Sequence, residues 1–201
     1  MRESIVHIVD DDAIITKSMK NIVEGIGYRV ITYSDPLEFL DTFSPKQSGC
    51  LVLDLRMPKM SGLELQEELA NRQMTIPIIF ISSHGDVPSV VRAMKGQAID
   101  FLTKPVNTEV LIEAIHKAIK RDLLDRDHHE HQREILSRVK RLTPRENEVM
   151  QLVVSGQSTK EIAKHLGISP NTVEIHRSKI MRKMAAKSVA DLVNLAHQCM
   201  G

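Results

Sequence analysis

Over the first 120 residues, short apolar runs alternate with stretches of helical spacing, and this alternation limits the fold more than any other feature of the chain. Ser4–Val9, Arg29–Tyr33, Cys50–Asp54, Pro77–Ile81 and Ile99–Thr103 read as strands. Ile14–Glu24, Pro36–Phe43, Ser61–Asn71, Val87–Lys95 and Thr108–Lys120 read as helices. Gly25 and Gly27 stop the first helix, and Ser34 or Asp35 caps the second. Five strands alternating with five helices at this spacing predict a parallel sheet covered on both faces.

One of these strands poses a chemical question. In "LVLDLRMPKMSG", residues 51–62, an apolar run ends in Asp54 before a Pro-Gly loop. A carboxylate at the end of a buried strand needs a partner or a use. Other strand ends are polar as well: Asp10-Asp11-Asp12, Ser82-Ser83 and Lys104-Pro105. In a parallel α/β sheet these ends converge on one edge, where ligands bind. Three carboxylates from two strands repel one another unless a cation lies between them, and a hard divalent ion such as Mg²⁺ suits oxygen ligands. Lys104 adds a second positive charge and Ser82 a hydroxyl. The set suits a phosphoryl group, with Asp54 as nucleophile forming an acyl phosphate and Mg²⁺ with Lys104 neutralising its charge. A phosphohydrolase with an aspartyl nucleophile would typically carry a second Asp two residues further on as general acid. Here that position is Arg56.

After residue 120 the character changes. "KRDLLDRDHHEHQREILSRVKR" is charged, has no Gly or Pro, and reads as a helical linker. Its "HHEH" reads as a solvated helix face rather than a metal site. Beyond it, Thr143 and Pro144 begin a helix that ends at Gly156. Ser158 or Thr159 caps a second that ends at Gly167, Ser169 and Pro170 open a third, and Ser188 caps a fourth. "KEIAKHLGISPNTVEIHRSKI" has the form of a helix-turn-helix joined across Gly167-Ile168-Ser169. Ile162, Ala163, Leu166, Val173, Ile180 and Met184 form its expected inner face. Glu174, His176, Arg177, Ser178, Lys179, Arg182 and Lys183 form the outer one.

Charge divides along the same line. Residues 1–124 hold 14 Lys and Arg against 17 Asp and Glu, a net of −3, while residues 125–201 hold 13 against 9, a net of +4. A basic C-terminal part points to a polyanion partner. Aromatic residues make up only 3%, too few for a single-strand stacking platform. The ten methionines are scattered and read as core filling. No apolar run approaches the ~18–20 residues of a membrane span. "MRESIVHIVDDD" carries acids where an export signal would stay apolar. Cys50 and Cys199 are far apart and form no CxxC pair, and both read as unreactive small residues. A reduced, cytoplasmic protein with no membrane partner is expected.

Residues 5–120 resemble the receiver domain of two-component response regulators. The resemblance rests on "VDDD" at 9–12, "LVLDLRMPKMSG" at 51–62, "FISSHGD" at 80–86 and "AMKGQAIDFLTKP" at 93–105. It implies an α/β flavodoxin-like fold with a five-stranded parallel sheet in the order 2-1-3-4-5. It further implies phosphorylation at Asp54. Mg²⁺ would be held by Asp11, Asp54 and the Arg56 backbone carbonyl, with Asp10 contributing through water. Lys104 takes the place of the family's lysine, Ser82 and Phe101 take those of the switch pair, and the Lys104-Pro105 peptide is expected to be cis. One departure is visible: Met94-Lys95-Gly96-Gln97-Ala98 stands where Met-Lys-Ala-Gly-Ala is usual.

"LTPRENEVMQLVVSGQSTKEIAKHLGISPNTVEIHRSKIMRKMAAKSVADLV" resembles the all-α, four-helix LuxR-type DNA-binding domain, whose third helix enters the major groove. By position, Glu174, Ile175 and Ser178, with Arg177, are expected base readers, and Glu174 could accept from cytosine N4. Lys160, Asn171, Thr172, Lys179, Arg182 and Lys183 are expected phosphate contacts. Thr159 stands where Asn is common, Met184-Ala185 where Leu-Gly is common, and Glu174 where Lys is frequent. "TVEIHR" and "HGDVP" resemble the FixJ-like branch.

The implied domains are a receiver over 1–121, a helical linker over 122–138 and a LuxR-type domain over 139–201. The implied function is that of a transcription factor rather than a turnover enzyme, with slow self-dephosphorylation. A sensor histidine kinase would phosphorylate Asp54. The surface of the fourth helix, fifth strand and fifth helix would then form a homodimer. The dimer would bind an inverted-repeat site on double-stranded DNA and activate transcription with RNA polymerase.

Overall fold

The computed structural model describes residues 4–83 and 85–200, except for the side chains of Cys199 and Met200, so the expectation for Cys199 lies outside what is described. The chain divides into two compact units, residues 1–125 and 126–201.

In the first unit, β1 (Ile5–Val9), β2 (Arg29–Tyr33), β3 (Gly49–Asp54), β4 (Ile78–Ser82) and β5 (Asp100–Thr103) form one sheet. Its order is β2-β1-β3-β4-β5, as the resemblance implied. All four pairings are parallel. Alternate residues of each strand supply two cores. Val52, Ile79 and Ile81 face one core together with Met19 and Val23 of α1 (Ala13–Gly25) and Leu111 and Ile115 of α5 (Thr108–Val139). Leu51, Leu53 and Phe80 face the other. There they meet Phe39 of α2 (Pro36–Thr42), Leu65 and Leu69 of α3 (Gly62–Asn71) and Ala93 of α4 (Val87–Lys95). Burial on both faces explains why these strands read as continuous apolar runs.

The displaced glycine at the end of α4 has a packing reason. Gln66 of α3 donates from its amide to the carbonyls of Ala93 and Gly96, at 3.1 and 2.9 Å. A Cβ on Gly96 would lie 2.5 Å from that amide. Gln97 therefore takes the left-handed position, at φ 64°. The Ala98 N–H donates to the Ala93 carbonyl and the Gln97 N–H to that of Met94, a Schellman ending.

The helix α5 runs unbroken through the expected linker. Neither end of that linker is free. Asp122 is buried and accepts from the Ser48 hydroxyl at 2.8 Å and from the Gly49 N–H at 2.9 Å, tying α5 to the start of β3. Ile135, near the other end, is fully buried in the core of the second unit. The charged composition that marks the linker announces neither contact, because neither partner is near in sequence.

The second unit is helical: α6 (Pro144–Val154), α7 (Thr159–Leu166), α8 (Pro170–Met184) and α9 (Val189–Met200). Thr143, Ser158 and Ser169 cap α6, α7 and α8. Ile162, Ala163, Val173, Ile180 and Met184 are buried in one core with Val149, Met150 and Leu192, and Leu166 packs against it. At the end of α8, Ala185 has φ 54°, and the Met184 carbonyl accepts from Arg138 at 3.0 Å. No helix among the described residues is long and apolar enough to cross a membrane.

His7 is an exception in the sheet core. It is 1% exposed and ringed by Tyr33, Phe39 and Phe43, with Nδ1 3.2 Å from the Tyr33 hydroxyl. Burial lowers its pKa from 6.5 to about 4. Above pH 6.5 the imidazole is neutral in both folded and unfolded chain. Between pH 6.5 and about 4 the unfolded chain takes up a proton that the folded chain refuses, so stability falls with pH. From this group the loss between pH 7 and pH 5 is about 2 kcal/mol. Urea denaturation of His7→Phe at the two pH values should show that gap closed; an unchanged gap would assign it to other groups. At the helix ends, Gln97→Gly and Ala185→Gly should each stabilise their unit by about 0.5–1 kcal/mol, because both relieve a left-handed non-glycine residue. Denaturation midpoints read the effect directly, and a fall in either would show that the side chain contributes more than the backbone costs.

Candidate functional site

The C-terminal edge of the sheet collects the polar strand ends. The three acids after β1 have separate surroundings. Asp10 is buried, with one carboxylate oxygen accepting from the Asp12 N–H at 2.9 Å. Asp11 is exposed on the rim. Asp12 caps α1, accepting from the N–H groups of Ile14 and Ile15. Across from Asp10, Asp54 ends β3, and its Oδ2 accepts from the Arg56 N–H at 2.8 Å.

Lys104 joins the two buried acids. Its Nζ stands 2.8 Å from Asp10 Oδ2 and 2.6 Å from Asp54 Oδ1. The lysine is itself held by the sheet: its N–H donates to the Ser82 carbonyl at 2.8 Å, and its peptide to Pro105 is cis, as the resemblance implied. Burial raises the Asp10 pKa, outweighing the Lys104 and Asp12 hydrogen bonds that pull it down. Burial also works against the lysine's charge, but its bonds to the two carboxylates together keep its pKa above the usual value. One ammonium thus compensates two buried acids only in part.

The surroundings are built closely around Asp54. A Cβ on Gly62, at the start of α3, would lie 2.3 Å from the Asp54 carbonyl oxygen, so only glycine lets the helix start here. Ser82 is buried at the end of β4, beside Thr103 in the sheet register. Phe101 is half-buried and stacks on Phe80 with ring centroids 6.2 Å apart. The geometry therefore brings Asp10, Asp54 and Lys104 into contact and leaves Asp11 at the rim. Among the described residues no three His, Cys, Asp or Glu side chains stand together as a metal-ready group.

In the second unit, α8 exposes Asn171, Glu174, Ile175, Ser178, Lys179 and Arg182, and Lys160 of α7 is also exposed. Thr172 is half-buried, its hydroxyl 2.8 Å from that of the capping Ser169. Arg177 is half-buried as well. Two residues expected on the outer face are turned to the domain itself. His176 is half-buried, and its Nδ1 is buried without a hydrogen-bond partner among the described residues. Lys183 donates to Glu146 at 2.6 Å and to the Arg141 carbonyl at 3.1 Å, which makes it a tie between α8 and α6. That bond is the first cause of a lowered Glu146 pKa, followed by the carboxylate's capping-box bond to the Thr143 N–H. Lys183 and Glu146 are 37 positions apart, a pairing no local pattern announces.

The response regulator receiver domain profile matches residues 6–116, and the profile of bacterial regulatory proteins of the luxR family matches residues 140–196. Nodulation protein W of Bradyrhizobium diazoefficiens is 41% identical over 194 residues, covering 96% of this chain and 86% of its own. The transcriptional regulatory protein FixJ of Rhizobium meliloti is 41% identical over 196 residues, covering 98% and 96%. The solved structure of response regulator StyR is 42% identical and superposes with a TM-score of 0.89, covering 98% of this chain and 99% of that one. With a receiver fold, a helical LuxR-type domain and relatives that share both along their length, this chain belongs to the two-component response regulators that act as DNA-binding transcription regulators.

Proposed function

We propose that Asp54 accepts a phosphoryl group from a sensor histidine kinase and that this controls binding of the LuxR-type domain to DNA. The observation that carries the reading is the Lys104 ammonium within hydrogen-bonding distance of both Asp54 and Asp10 at a sheet edge. Attack of an Asp54 oxygen on the phospho-imidazole phosphorus forms a P–O bond and breaks the P–N bond. The electron pair leaves on the imidazole nitrogen, which takes up a proton. Lys104 then balances charge on the transferred group, and Ser82 and Phe101 respond to it. The hard carboxylate oxygens of Asp10 and Asp54, with Asp11 on the rim and the Arg56 backbone close by, are the donor types that Mg²⁺ takes, so the residues present fit that ion. Bound there, Mg²⁺ would supply charge neutralisation for the phosphoryl oxygens.

The regulated step is dimerisation through α4, β5 and α5. Val87, Val91 and Met94 of α4 and Val110 of α5 are exposed and apolar, which supports an interface there. The dimer binds an inverted repeat in double-stranded DNA, activates transcription with RNA polymerase, works in the cytoplasm, and loses its phosphate slowly by its own chemistry. Glu174, Ile175, Arg177 and Ser178 are the proposed base readers. Lys160, Asn171, Thr172, Lys179 and Arg182 are the proposed phosphate contacts, and Lys183 is left out because Glu146 holds it. The receiver spans 1–121 and the LuxR-type domain 139–201, with α5 running between them.

The decisive measurement is intact mass and light scattering after incubation with acetyl phosphate and Mg²⁺. Wild type should gain about 80 Da, one phosphoryl group, and dimerise, while Asp54→Asn does neither. No gain in wild type under conditions that label another receiver would overturn the phospho-acceptor. A gain without dimerisation would replace the dimer by another form of control. The two lysines of α8 should separate by their partners. Lys179→Ala should weaken binding on all sequences and lower the salt slope by about 1, as a lost phosphate contact does. Lys183→Ala should instead lower the unfolding midpoint of the second unit, and equal effects on DNA affinity from both would sink this distinction.

A further inference from the structure

Thr159, the first residue of α7, reaches across the helix-turn-helix to two side chains of α8. Its Oγ1 lies 2.6 Å from Glu174 Oε1 and 3.0 Å from Arg177 Nη1. The direction of both bonds is fixed without sight of a hydrogen. A carboxylate only accepts and a guanidinium only donates, so the hydroxyl gives its one proton to Glu174 and accepts from Arg177. Glu174 and Arg177 are three apart and share a helix face. Thr159 thus ties an exposed acid and a half-buried base of α8 into one network.

An exposed Glu on a helix that meets a polyanion is otherwise a liability, since phosphates repel it and its side chain is free to swing among rotamers. Here the hydroxyl anchors one carboxylate oxygen and is itself held by the Arg177 guanidinium. The second oxygen, Oε2, is left as an acceptor of set position. On a base edge, that acceptor matches the exocyclic N4 amine of cytosine.

We propose that Thr159 is a positioning residue for DNA sequence choice: by holding Glu174 and Arg177 it makes each half-site prefer a C·G pair at the position Glu174 faces. The proposal rests on the reading that α8 enters the major groove, and it adds a residue outside α8 that sets what α8 reads.

The test is selection from a randomised inverted-repeat library by the full-length protein treated with acetyl phosphate and Mg²⁺, followed by affinities on the selected site and its single-base variants. Wild type and Thr159→Ser, which keeps the hydroxyl, should prefer C·G at one half-site position by about tenfold, in the range of a good base contact. Thr159→Val should lose most of that preference while its affinity for unrelated DNA changes less than about threefold. Glu174→Gln, with Thr159 intact, should lose preference at the same position. The double variant should be no worse there than either single one, because both remove the same contact. A Thr159→Val profile identical to wild type, a uniform loss on every sequence, or additive losses in the double variant would each overturn the proposal. If Thr159→Val does not fold, Thr159→Ala takes its place: loss of the preference at the position that Glu174→Gln affects supports the proposal, and a profile identical to wild type overturns it. Failure of wild type to select any sequence would instead bring down the DNA-reading assignment, and the positioning role with it.

Discussion

Two carboxylates with almost no access to water share a single ammonium, and the geometry of the first unit is arranged around that contact. Asp10 follows β1, Asp54 ends β3 and Lys104 follows β5, so the three lie far apart along the chain. Parallel pairing ends these strands on the same side, and the order β2-β1-β3-β4-β5 makes β1 and β3 neighbours. Burying an unpaired acid costs several kcal/mol, so the pairing and the backbone N–H bonds from Asp12 and Arg56 are conditions for the fold as well as for chemistry. One cation offsets two acids only in part, and the proposed chemistry would bring a further hard cation and a phosphoryl group to the same edge.

Much of this could be read before any coordinates. Strand and helix positions follow from period, and the caps at Thr143, Ser158 and Ser169 follow from residue type, because those signals are local. The polar strand ends could be matched because parallel topology converts four local observations into one place. What could not be read are contacts between residues distant in sequence. Asp122 looks like any acid of a charged helix until Ser48 and Gly49 are found against it. Lys183 looks like a groove-facing cation until Glu146 takes it. Thr159 stood out only as an unusual residue, and its meaning came from Glu174 and Arg177 across the turn.

The departures from family pattern follow the same logic. Moving a glycine to position 96 makes room for the Gln66 amide and leaves Gln97 in the left-handed conformation that glycine would adopt freely. Ala185 occupies the matching position after α8, where Arg138 donates to the last carbonyl of the helix. In both places a backbone cost of about 1 kcal/mol accompanies a packing or capping contact made by a residue from another helix. A one-residue difference in a motif is therefore a statement about a neighbour that the motif does not contain.

Charge behaves likewise. The second unit carries the basic excess, yet its cations divide by what they touch. Arg138 caps α8, Arg145 donates to the Leu166 carbonyl at the end of α7, and Lys183 holds Glu146. Lys160, Lys179 and Arg182 remain exposed. Counting positive residues on a helix overstates the surface available to a polyanion by the number that the domain spends on its own carbonyls and carboxylates. The same side chain type that pairs with two buried acids at position 104 would be a weak, solvated phosphate contact at position 179. The difference lies in burial, since a charge pair removed from water interacts far more strongly than one screened by solvent and salt.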